Sequence, residues 1–72
     1  MSPVPQNAQT PVEFLLSRVG EGVQVAEKAG RAGGYFRDLS AALRFAREEA
    51  AHRGAQALVR FDETLAAARA AL

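Results

Sequence analysis

Val12 to Val19 is rich in large apolar residues and reads as a strand. Val12, Phe14 and Leu16 fall on one side and Leu15 and Val19 on the other, the period of a half-buried strand. Gly20-Glu21-Gly22 supplies a short turn, and Val23 to Glu27 reads as the returning strand of a hairpin. Lys28 to Gly34 carries three glycines and reads as a loop or a ragged continuation of that strand. Asp38 is placed to cap a helix from Leu39 to Arg53, with Leu39, Ala42, Leu43, Ala46 and Ala50 forming one narrow apolar stripe. Glu49 precedes Arg53 by four, the favourable order for a surface pair, and Gly54 suits the left-handed position after a helix end. Ala55 to Phe61 reads as a third strand with Ala57, Val59 and Phe61 on one face. Asp62 or Thr64 then caps a last helix carrying Leu65, Ala68 and Leu72 at helical spacing.

The order strand, strand, helix, strand, helix predicts one small α+β domain over residues 12–72. The expected sheet has three antiparallel strands in the order 2-1-3, with the main helix on one face and a short C-terminal helix after it. Residues 1–11 hold all three prolines and read as a flexible tail.

Composition sharpens this picture. Of 35 apolar residues 16 are alanine, so a chain of 72 residues has few large side chains with which to close an interior. That argues against a pocket inside one protomer and for help from the chain's own end or from a second copy. The net charge of +1 gives no field that would attract nucleic acid or an anionic membrane. The chain has no cysteine, which rules out thiolate sites and suits a reducing compartment. It has no apolar run of membrane-spanning length. The first residues lack the basic start and apolar core of a signal peptide, so a cytoplasmic location is expected.

Gly22-Val23-Gln24-Val25, then Phe36-x-Asp38-x-x-x-Ala42-Leu43, Ala46-Arg47 and Gly54-Ala55-Gln56-Ala57-Leu58-Val59 form a spaced pattern. It resembles domain of unknown function 2188, a family of small bacterial proteins, over residues 12–61. Val23 stands where that family carries an aromatic residue, and Ala41 where it carries glutamate. The resemblance implies the small α+β architecture and assigns no activity, substrate or cofactor.

No motif with a reaction attached is present. Ser17 and Ser40 sit in no nucleophile elbow, and His52, the one histidine, reads as a solvated group at a helix C-terminus. The chain therefore reads as non-enzymatic, with no cofactor and no metal. Two binding readings remain. A sheet covered by one helix leaves a second face, on which Leu15, Val19 and Leu58 lie among Glu13, Ser17, Gln56 and Arg60. Either the C-terminal helix, through Leu65 and Leu72, covers that face within the chain, or two copies pair there or exchange those helices. A self-associating homodimer is the first expectation, with an unidentified protein partner beside it. The alternative is a weak nucleic-acid contact through Lys28, Arg31, Tyr35 and Arg37 around the glycine-rich segment.

Overall fold

The computed structural model describes residues 10–65. Strand β1 runs Val12–Val19 and β2 runs Gly22–Glu27. Gly20, at a φ of 61°, leads the two-residue turn between them, the position where a II′ hairpin needs glycine. A further strand follows, β3 at Gly33–Phe36, then helix α1 at Leu39–His52 and strand β4 at Ala57–Phe61. Glu63 to Leu65 open another helical turn.

The sheet is mixed and four-stranded, in the order β3-β2-β1-β4. This corrects the expected three-stranded antiparallel sheet in two linked ways. The glycine-rich segment is not only a loop, because its second half returns as β3, antiparallel to β2. That extra reversal changes the direction of everything after it. Strand β4 consequently lies parallel to β1, with Phe14 beside Val59 and Leu16 beside Phe61. The placement of β1 between β2 and the last strand agrees with expectation.

Strand β3 is hard to foresee because Gly33 and Gly34 contribute no side chains to a period of two. Their smallness is nonetheless used. The Phe36 ring passes so close to Gly34 that a Cβ there would meet it at 3.0 Å. Phe36 in turn packs on Phe45 of α1, with ring centroids 5.0 Å apart.

The core lies between α1 and one face of the sheet. Phe14, Leu16, Val23 and Val25 are its largest fully buried side chains, and all come from β1 and β2. The helix contributes Ala42, Ala46 and Ala50, a methyl-sized stripe that lets its backbone approach the sheet closely. The helix begins where the Asp38 carboxylate accepts the Ala41 N–H at 2.9 Å, and it ends with Gly54 at a φ of 69°. Leu65 adds a further buried side chain to the same cluster.

Glu27 is the one buried charged residue in the described chain. In the sequence it stands only as the last residue of the returning strand. The structure places it on the helix-covered side, where Arg53 holds it at 2.8 Å and the Arg31 backbone N–H donates to it at 3.1 Å. No helix among the described residues is long and apolar enough to cross a membrane.

Candidate interaction surface

The register fixes which side chains share the sheet's other face. Glu13, Leu15, Ser17 and Val19 of β1 point there, beside Leu58 and Arg60 of β4, Ala26, Gln24 and Gly22 of β2, and Tyr35 of β3. The exposed large apolar residues of the described chain are Leu15 at 43%, Val19 at 43%, Tyr35 at 59% and Leu58 at 39%. All four belong to this one face, and no described element packs over it. Leu15, Val19 and Leu58 thus come together through the strand period and the β1–β4 pairing.

Tyr35 shapes one end of the face. Its ring lies across Gly22, where a Cβ would stand 2.5 Å from the ring and 2.6 Å from the Phe36 carbonyl oxygen. Its hydroxyl donates to the Val19 carbonyl at 2.7 Å. The ring so covers a strand glycine and ties β3 to the end of β1. At the other end Glu13 accepts Arg60 Nε at 2.6 Å and lies 3.8 Å from Lys28 Nζ. Apolar side chains are therefore bordered by a fixed ion pair.

Leu65 does not belong to this surface. It is only 4% exposed and sits in the core with Phe14 and Leu16, on the α1 side of the sheet. Asp62 directs it there. The Asp62 carboxylate accepts the N–H groups of Thr64 at 2.9 Å and Leu65 at 3.3 Å, together with the Thr64 hydroxyl. Those bonds, with one from Ser17, hold its carboxyl below the ordinary value, the Thr64 hydroxyl acting most strongly. Leu72 lies outside the described residues.

The residues of the alternative reading divide into two pairs. Lys28 and Arg31 belong to the β2–β3 turn, whereas Tyr35 and Arg37 lie at the opposite end of β3, roughly 13 Å away at about 3.3 Å per residue. Tyr35 and Arg37 border a shallow hollow with Glu21 and Gly22. Lys28 and Arg31 border a larger cleft of about 620 Å³, where Glu13, Glu27 and Arg53 also lie. Lys28 pairs with Glu13 and Arg53 with Glu27 there, and no buried side-chain nitrogen or oxygen in the described structure lacks a partner. His52 is exposed at the end of α1. Among the described residues no three His, Cys, Asp or Glu side chains converge as a metal would require.

Comparison with known proteins adds no relative: no family model, no curated protein and no solved structure matches the chain.

Proposed function

We propose that the chain is a non-enzymatic interaction module that self-associates through the open face of its sheet. The observation that carries this reading is the gathering of Leu15, Val19, Tyr35 and Leu58 on one uncovered surface. Apolar side chains grouped in that way on a small protein mark a contact site, since burying them removes ordered water at little cost.

The dimensions suit a weak contact with a second copy. Strands of eight, six, four and five residues, about 4.8 Å apart, present roughly 360 Å² of projected face. Two copies would cover roughly 700 Å², the size of a weak or transient interface. Among the described residues the face presents apolar side chains and an ion pair in open geometry, and binding is the chemistry such a surface supports.

Sedimentation equilibrium across a concentration series tests the proposal. The expected result is a reversible monomer–dimer equilibrium that Leu58→Glu shifts to monomer, with the variant's circular dichroism unchanged. A wild-type chain that stays monomeric at millimolar concentration would refute it.

A further inference from the structure

The β1–β4 register sets four open-face residues in a two-by-two block. Leu58 lies beside Glu13, and one step along the strands Arg60 lies beside Leu15. The two leucines occupy one diagonal of the block and the two charges the other. Resting on the self-association proposed above, we infer that the second copy packs about a two-fold axis along the Leu58–Leu15 diagonal, so that Arg60 of each chain meets the partner's Glu13.

For an axis through the centre of this block, four orientations bring its residues into register. A two-fold axis relating sheets packed face to face lies in the plane between them. If it ran along the strands, Leu58 would stack on the partner's Glu13 and Leu15 on the partner's Arg60. If it ran across the strands, Leu58 would stack on the partner's Arg60 and Leu15 on the partner's Glu13. Both arrangements set charges against leucine and strip them of water without a new partner. An axis along the Glu13–Arg60 diagonal sets each charge on its own copy, which is repulsive. The leucine diagonal alone puts Leu58 on Leu58, Leu15 on Leu15 and Arg60 on the opposite Glu13, twice.

The charged groups have capacity for this exchange. Arg60 is 62% exposed and uses Nε on its own Glu13, while its terminal nitrogens carry four more N–H donors. Among the described residues the other Glu13 oxygen pairs with Lys28, at 3.8 Å. Two arginines and two glutamates would close a ring at the axis. Strand spacing and rise set the leucine diagonal about 36° from the strands, so the two sheets would cross at roughly 70°, nearer the orthogonal class of sheet packing than the aligned one.

Charge reversal tests the axis. Glu13→Arg and Arg60→Glu should each weaken dimerisation by about tenfold or more. An equimolar mixture of the two variants should recover it as a heterodimer, because each reversed charge then faces its complement. Single variants that dimerise like the wild type, or a mixture that fails to recover, would overturn the axis while leaving self-association standing. A monomeric wild type would remove both. Should either variant fail to fold, the absence of native cysteine gives an independent readout. Leu15→Cys on the axis would face its copy across about 10 Å and be joined by a short bis-maleimide. Val19→Cys would sit roughly 15 Å from its copy along the face and stay unjoined. Efficient linkage at Val19 with none at Leu15 would equally overturn the axis.

Discussion

Arg53, at the end of α1, grips the Glu27 carboxylate at 2.8 Å and so fastens the helix to the last residue of β2. The same guanidinium lies 3.6 Å from Glu49, the helix pair expected from their spacing. Arg53 is the main reason that the Glu27 carboxyl titrates below its ordinary 4.5, with burial opposing the shift.

Acid stability should follow from this pair. The unfolded chain, with the higher pKa, binds the Glu27 proton more readily than the folded one. The pair's stabilisation is therefore complete well above pH 4.5 and is lost as pH falls through the lower folded value. Thermal melts between pH 6 and pH 3 should show wild-type stability falling below about pH 4.5. Glu27→Gln should begin less stable and fall less steeply. A variant whose profile runs parallel to the wild type would contradict this.

The N-cap of α1 gives a second test. Asp38→Ala leaves the Ala41 N–H without its 2.9 Å acceptor and should lower unfolding stability by about 1 kcal/mol in urea titrations. Asp38→Ser should keep most of that stability.

Gly22 is set by close approach. A methyl group there meets the Tyr35 ring and the Phe36 carbonyl oxygen, one of which is backbone and cannot simply swing aside. Gly22→Ala should cost about 1–3 kcal/mol, as overpacking does, measured by chemical denaturation. Equal stability of variant and wild type would show that β3 does not lie so close.

Leu65 should behave as a core residue. Leu65→Ala should cost about 2–5 kcal/mol, the range for a buried leucine truncated to alanine. A loss of a few tenths would show that the chain's last segment contributes little to the interior.

Self-association should also appear in heat stability. If dimer and fold are linked, the wild-type Tm rises with protein concentration by mass action. The Leu58→Glu Tm should be independent of it. A wild-type Tm that does not move over a hundredfold range of concentration would count against the linkage.

Much of this protein follows from local rules. The apolar strand pattern from Val12 to Val19, the Asp38 cap, the alanine stripe of α1 and the glycine after Arg53 each act within a few residues. Each therefore leaves its mark in the order of residues alone. That Leu15 and Val19 share a face, and that Leu58 points away from Ala57 and Val59 on its own strand, is readable for the same reason, whereas their meeting depends on the β1–β4 pairing. The features decided by tertiary structure depend on contacts between distant residues. Strand β3 holds its place because Tyr35 lies on Gly22 and Phe36 on Gly34, not through any pattern of its own, and the reversal it introduces turns β4 parallel to β1. Glu27 becomes a buried partner only when α1 brings Arg53 across to it. Leu65 enters the core because Asp62 turns the chain toward the helix side, leaving the opposite face of the sheet uncovered by the described chain.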